Sequence, residues 1–319
     1  MTTTVSHAAA RYAAADWGTS SFRIWLIGET GEALSERRSA EGMTTAAKTG
    51  FSPVLEQHLE AMGAADTLPV VICGMAGARQ GWVEAGYLDT PAALSDIVRH
   101  AVVVPDDRRD IRILPGLAQR DAASPDVMRG EETQLLGSVG ALSGTRLVCM
   151  PGTHSKWVRV ADGKVERFST FMSGELFDVV SRHSILSHAV ADAGAFDGTH
   201  PAFVAAVAEA MANPAMATNL LFTVRSGQLL HGHGATEAKA RLSGLMIGLE
   251  IAGAATMTAD AQTPVSLVAS GPLAGLYTQA LTAAGLQSQL VDADEAVRDG
   301  LAAAARALWP ASVQTLSAV

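Results

Sequence analysis

The sequence predicts an α/β protein made of two like halves, each opening on antiparallel strands and continuing in helix–strand units. Three observations carry that prediction. Residues 12–27 read as strand, turn, strand: 12–15 are small and apolar, Asp16-Trp17-Gly18-Thr19-Ser20-Ser21 is turn-rich, and 22–27 are β-branched and aromatic. The pattern returns at Pro151-Gly152-Thr153-His154-Ser155-Lys156-Trp157, where Gly152-Thr153-His154-Ser155 aligns with Gly18-Thr19-Ser20-Ser21. Each copy follows an apolar run and leads through a second one to another glycine turn, Gly28-Glu29-Thr30-Gly31 or Ala161-Asp162-Gly163-Lys164, as expected of a duplicated unit. The third observation is a closing strand–helix–strand–helix unit over 265–269, 273–284, 287–291 and 294–308.

The elements between have local reasons. Residues 32–39 add a third antiparallel strand to the first hairpin. Glu41-Gly42-Met43 leaves the sheet, and 52–62 read as a helix that starts at Ser52 before Pro53. Residues 68–73 make a short buried strand that enters Gly74-Met75-Ala76-Gly77-Ala78-Arg79-Gln80-Gly81-Trp82. Loops after buried strands are where α/β proteins place ligands. Residues 110–114 form another strand and 115–126 irregular chain; helical character begins at Glu131, in an inter-domain element. A hairpin over 147–160 follows, and 164–171 continue its sheet. Ser173 caps a helix running to about Ser187, with Glu175 suiting its dipole. Residues 202–212 and 237–257 are alanine-rich helices, the second with Leu242, Leu245, Met246 and Leu249 on one face. Three strands followed by helix–strand units, twice over, is the order of two ribonuclease-H-like domains. We expect them at 1–116 and 117–319, with ligand in the cleft between them.

The whole chain bounds its function. At 319 residues it is long enough for two cores, and 17% charged with 48% apolar residues is a folded, enzyme-like composition. A formal charge of −9 without a basic stripe argues against nucleic acid as a partner. Cys73 and Cys149 are expected to be buried and reduced. Residues 1–10 lack the apolar core of a signal peptide, and no apolar run would span a bilayer, so a cytoplasmic protein without membrane partners is expected.

Both hydroxyl-rich turns suit a phosphate chain. The backbone N–H groups and hydroxyls of Gly18, Thr19 and Ser20 can face phosphate oxygens while Asp16 faces the Mg²⁺ that accompanies them. The plainer alternative is a hairpin whose Asp and Gly only make the turn. Gly152, Thr153 and His154 form the second such turn. At Ser270-Gly271-Pro272 a buried strand enters a helix, and small residues there would let a flat ring approach the backbone. Adenosine is the natural ligand, with an ordinary strand–helix turn as the alternative. Phosphoryl transfer to an alcohol also needs a base. Arg129-Gly130-Glu131-Glu132 offers one, although either carboxylate could merely stabilise the helix dipole. No P-loop and no G-x-S-x-G elbow occurs; His231-Gly232-His233-Gly234 reads as a loop, without acidic or cysteine partners at metal-ligand spacing.

The Asp-x-Gly-Thr, Pro-Gly-Thr-His-Ser-Lys-Trp and Ser-Gly-Pro turns resemble the superfamily of acetate and sugar kinases, heat-shock chaperones and actin. More closely, Met128–Gly137, Met150–Trp157 and Met172-Ser173-Gly174-Glu175-Leu176 look like the 2-dehydro-3-deoxygalactonokinase family, over nearly the whole chain after residue 11. The resemblance implies an actin-like ATPase fold. It also implies ATP- and Mg²⁺-dependent phosphorylation of the 6-hydroxyl of 2-dehydro-3-deoxy-D-galactonate, in galactonate catabolism. In related sugar kinases a Gly-Asp pair opening a helix carries the general base; Gly130-Glu131 matches it, with Glu for Asp. On this reading Asp16 holds Mg²⁺, the two Gly-Thr turns cradle the β- and γ-phosphates, and Lys156 or Arg23 neutralises charge in the transition state. The substrate carboxylate needs a basic or N–H-rich pocket, for which Arg79, Arg129 and the loop residues Gly74, Met75, Gly77 and Trp82 are candidates. The alternatives are a superfamily kinase for another sugar acid and a non-catalytic, actin-like nucleotide-binding protein. Exposed faces of the alanine-rich helices would allow a homodimer.

Overall fold

The computed structural model describes residues 10–140, 142–257 and 263–310. It resolves into two compact units, one made of the chain up to Leu142 together with the chain from Asp294 on, the other of Ser143–Ala293. This differs from the expected boundary at 116/117: residues 117–142 and the last helix pack with the first unit.

Unit 1 opens on β1 (Ala10–Trp17), β2 (Phe22–Gly28) and β3 (Ala33–Ser39), followed by α1 (Met43–Thr49), α2 (Phe51–Ala61) and β4 (Val70–Gly74). Then come β5 (Tyr87–Asp89), the two-residue β6 (Ala92–Ala93), α3 (Asp96–Arg99), β7 (Val102–Val104), β8 (Ile111–Ile113), β9 (Gly116–Gln119), β10 (Asp126–Met128) and α4 (Glu131–Ser138). The main sheet has the order β3-β2-β1-β4-β8-β7, with β1 antiparallel to β2 and parallel to β4. β1 is central, so Ala13, Ala14, Ala15 and Trp17 are fully buried; small residues let helices close over it. Trp17, Phe22 and Phe51 pack around it with ring centroids 4.4 and 5.2 Å apart. Register sets Asp16 opposite Arg23 on β2 and Cys73 on β4, and Trp17 opposite Gly74.

Unit 2 repeats the plan. β11 (Thr145–Met150), β12 (Ser155–Ala161) and β13 (Lys164–Phe171) lead to α5 (Ser173–His183), α6 (Ser187–Val190), α7 (Pro201–Ala212), α8 (Ala217–His231) and α9 (Ala235–Ala254). β14 (Val265–Val268), α10 (Gly271–Ala283) and β15 (Ser288–Val291) follow. The strands run β13-β12-β11-β14-β15, the same order as β3-β2-β1-β4-β8, so the duplication read from the two hairpins extends to the sheets. α9 buries Leu242, Leu245, Ile247 and Ile251 among others, and is covered nearly all round.

α11 (Ala293–Leu308) accounts for the shifted boundary. A Cβ on Gly300 would overlap the Thr133 carbonyl, and one on Gly137 would overlap that of Ala296, so α4 and α11 lie backbone to backbone in unit 1. Other expectations also needed correction. The chain expected to be irregular at 115–126 contains β9, which pairs with β5 and β10 because its backbone groups face partners distant in sequence. α2 begins at Phe51, after Gly50 at φ 94°, so Ser52 is not its cap. Met172 precedes α5, and the Ser173 side chain is instead buried. That helix stops at His183 and α6 is separate. Among the described residues no helix is long and apolar enough to cross a membrane.

Candidate active site

In unit 1 the ends of β1 and β4 meet the start of α4. Asp16 is half-buried; its Oδ2 accepts from Arg23 Nη2 at 3.0 Å, and its Oδ1 has the Cys73 thiol at 3.8 Å. Arg23 also pairs with Asp294, which accepts from Arg38 at 3.1 Å. The Arg23 guanidinium is therefore held between two carboxylates. Gly74, at φ 89°, lies where a Cβ would sit 2.6 Å from the Trp17 carbonyl, and its Cα is 3.5 Å from where a Cβ on Gly130 would be. This glycine contact brings the first turn of α4 up to the Asp16 end of the sheet. Gly130 itself has φ 105°, a conformation glycine takes without strain.

The two glutamates reach back to cap this turn. Glu131 Oε2 accepts from the Arg129 amide at 3.0 Å, and Glu132 Oε2 from the Gly130 amide at 2.7 Å. Their environments differ. Glu131 is half-buried, whereas Glu132 is fully buried, and Thr133 Oγ1 donates to its Oε1 at 3.2 Å. Burial, and then the charge of Glu131, push the Glu132 carboxyl up to about 8. Burial, with Asp16 and Glu132 nearby, also raises the Cys73 thiol well above its usual range. Beside them Arg129 stacks on Tyr87, 4.3 Å from its ring centroid, and Nη2 donates to the Gly86 carbonyl at 2.8 Å. Its Nε and Nη1 are buried with no partner.

In unit 2 the 151–155 turn leaves Thr153 and His154 exposed and Ser155 buried. The start of α5 closes on it: Glu175 N donates to the Thr153 carbonyl at 3.0 Å, and a Cβ on Gly174 would overlap the Gly152 carbonyl. His154 and Glu175 pair at 2.5 Å, and the buried Lys156 donates from Nζ to the His154 carbonyl at 3.1 Å. Behind the turn, Glu250 of α9 accepts from Trp157 Nε1 at 2.8 Å and from the Tyr277 hydroxyl at 2.9 Å; Tyr277 also bonds Ser155 Oγ at 3.0 Å. Burial raises the Glu250 carboxyl, opposed by hydrogen bonds led by that of Ser173. Next to the turn lies a cavity of about 210 Å³ whose walls include Gly174, Phe177, Ser243, Ile247, Leu276 and Tyr277.

The model of the 2-keto-3-deoxy-galactonokinase family matches residues 16–304, from Asp16 through both glutamates and the cavity to α11. The chain belongs to this family. A curated protein of Rhizobium meliloti (strain 1021), named a probable 2-dehydro-3-deoxygalactonokinase, is 65% identical over 300 residues, covering 94% of this chain and 98% of that protein. The Escherichia coli (strain K12) 2-dehydro-3-deoxygalactonokinase is 36% identical over 301 residues, 94% of this chain and 99% of its own. A crystal structure from Sinorhizobium meliloti, whose name is likewise provisional, superposes with a TM-score of 0.92 at 65% identity over 94% of this chain and 99% of that one.

For a galactonokinase-family chain, the structure gathers some expected residues and separates others. Asp16, Arg23, Gly74, Gly130 and Glu131 come together in unit 1, and Gly152, Thr153, His154 and Lys156 around one turn of unit 2. Gly18, Thr19 and Ser20 form a tight hairpin turn, with Gly18 N donating to the Ser21 carbonyl at 2.9 Å and both hydroxylated residues exposed. Met75 and Gly77 bracket a single 3₁₀ turn, where a Cβ on Gly77 would come 3.0 Å from Arg129 Nη1. Trp82 stacks on Phe51 with centroids 5.9 Å apart and belongs to the core cluster; Arg79 is exposed. Ser270 Oγ donates to Asp292 at 2.9 Å and accepts from Ala293 N, while Gly271 and Pro272 are exposed at the head of α10. The cavity begins one turn later, at Leu273. Sequence reasoning missed its wall on α5 and α9, and missed Glu250 and Tyr277. A glutamate inside an apolar, alanine-rich helix is the signal that could have found Glu250.

Proposed function

We propose that this chain transfers the γ-phosphoryl group of ATP to 2-dehydro-3-deoxy-D-galactonate, on its 6-hydroxyl. Family membership makes it a sugar-acid kinase. The observation that carries the finer reading is the start of α4, where Gly130-Glu131 abuts Gly74 beside Asp16. A half-buried carboxylate fixed by the Arg129 amide suits the base that orients a sugar hydroxyl and accepts its proton. Glu132 does not suit that role: it is buried among protein atoms and holds its proton at neutral pH, so it supports the turn while Glu131 works.

The donor set fits a Mg²⁺ that arrives with phosphates and needs only one or two protein carboxylates. Asp16 offers Oδ1, whose hydrogen-bond contact among the described residues is the weak thiol of Cys73. Held there, the ion would neutralise phosphate charge. Arg23, committed to Asp16 and Asp294, orients that carboxylate instead of meeting phosphate itself.

Arg129 is our choice for the substrate carboxylate. A guanidinium with two buried, unpartnered nitrogens and no ion pair among the described residues suits an incoming anion. In unit 2 the Gly152–Ser155 turn holds phosphate oxygens with Lys156 beneath it, and the cavity along α10 takes the adenine ring. The test is Glu131→Gln. Its kcat should fall by about 10²–10⁴, the usual worth of a positioned base, with ATP affinity nearly unchanged. Wild-type kcat in the folded variant would remove Glu131 from the role. A coupled assay over a panel of 2-keto-3-deoxy sugar acids tests the substrate.

A further inference from the structure

Beneath the 151–155 turn is a buried polar network that the reaction itself does not use. Glu250 is 2% exposed, Ser155 0% and Tyr277 3%, so each polar group must find its partner inside the protein. Glu250 Oε1 accepts from Trp157 on β12, and Oε2 from Tyr277 on α10. Hydrogen bonds from Ser155 and from Ser173, the first residue of α5, complete its set. Ser155 Oγ in turn accepts from the Gly152 amide, the first N–H of the turn, at 3.4 Å. One carboxyl thus ties together a strand, two helices and the turn. Tyr277 and Ser173 also line the apolar cavity.

We infer that Glu250 is a positioning residue for the nucleotide, fixing the Gly152–Ser155 turn at one set distance from the base cavity so that phosphate and base recognition act together. The inference rests on the reading of unit 2 as the nucleotide side. Its physical core is donor counting. Trp157 can only donate and Tyr277 donates to the other oxygen, so the carboxylate accepts on both sides, whereas an amide accepts on one side only. Glu250→Gln keeps the shape but turns an NH₂ toward Tyr277, so the Tyr277 hydroxyl must reverse to accept it, and its bond to Ser155, and through Ser155 the turn, must rearrange. Ser155→Ala, at a buried residue that does not line the cavity, cuts only the network's links through Ser155, to Tyr277, to Glu250 and to the Gly152 amide, and is the milder variant, should Glu250→Gln fail to fold.

The experiment is calorimetric titration of the full chain with ADP and, separately, adenosine, with thermal melts confirming that each variant is folded. For Glu250→Gln we expect ADP affinity to fall about tenfold or more, the worth of one buried charge-assisted hydrogen bond, while adenosine affinity stays within about twofold of wild type. Ser155→Ala should show the same split at about three- to fivefold, as for one neutral hydrogen bond. A purely structural role would weaken both ligands by the same factor. Equal weakening, or no weakening, in the folded variants overturns the inference. Ile247→Trp, which fills the cavity, separates the underlying reading: wild-type ADP affinity in that variant would show that the nucleotide binds elsewhere, and both proposals would fall together.

Discussion

Glu132→Gln should change the pH dependence of stability more than any other single substitution in α4. The folded carboxyl is raised from 4.5 to about 8. Between those values the folded state keeps a proton that the unfolded chain releases. Its contribution to stability is therefore complete below pH 4.5 and declines as the pH climbs toward 8. At about 1.36 kcal/mol for each pH step, the whole window corresponds to about 5 kcal/mol. Relaxation around the charged form, and repulsion shared with Glu131, reduce this, so about 2–4 kcal/mol is the working figure. The substituted amide would carry no charge at any pH, and its oxygen can still accept from the Gly130 amide. We expect the difference in unfolding free energy between variant and wild type to grow in the variant's favour from about pH 4.5 to about 8 and then level off. Urea titrations at half-unit intervals, with Glu131→Gln as control, measure it. Parallel curves for Glu132→Gln and wild type across that range would refute the assignment of a buried, protonated acid.

The remaining expectations concern the same unit. Asp16→Asn should raise the midpoint of the Mg²⁺ titration of activity by about tenfold to a hundredfold, the value of a charged ligand contact; an unchanged midpoint removes Asp16 from the metal. Arg129→Lys keeps the charge but loses the fork and the stack on Tyr87. The KM for the sugar acid should rise about tenfold, from losing about 1–2 kcal/mol, with the KM for ATP unmoved, and equal shifts in both would count against it. Gly300→Ala forces α11 off the Thr133 carbonyl and should cost about 1–3 kcal/mol, seen as a lower melting temperature with reduced kcat. A melting temperature at or above wild type would show that the helices can separate freely.

Much of this was legible because it is local. Apolar runs on either side of a hydroxyl-rich turn specify a hairpin within about 16 residues, and two copies at 12–27 and 147–160 mark the duplication. The start of α4 was equally plain, since a glycine followed by two acids suits a helix N-terminus. Which of those acids turns inward was not plain. Neighbours on a helix point about 100° apart, and only the packing that surrounds Glu132 decides between them. Long-range partners were hidden for the same reason. Nothing near Glu250 announces Trp157, 93 positions away, or Tyr277. The unit boundary failed because Gly300 reads as one small residue in an alanine-rich helix, and its meaning lies in Thr133.

The return of α11 to unit 1 has a consequence for how the molecule is made. The second unit is one unbroken segment, Ser143–Ala293, and can collapse as it leaves the ribosome. The first cannot finish early: the helix that carries Glu131 waits for a backbone neighbour translated only after that whole segment, and Arg23 waits likewise for Asp294. The end of unit 1 that holds Asp16 and Glu131 is thus completed last, after the whole of the other unit has been translated.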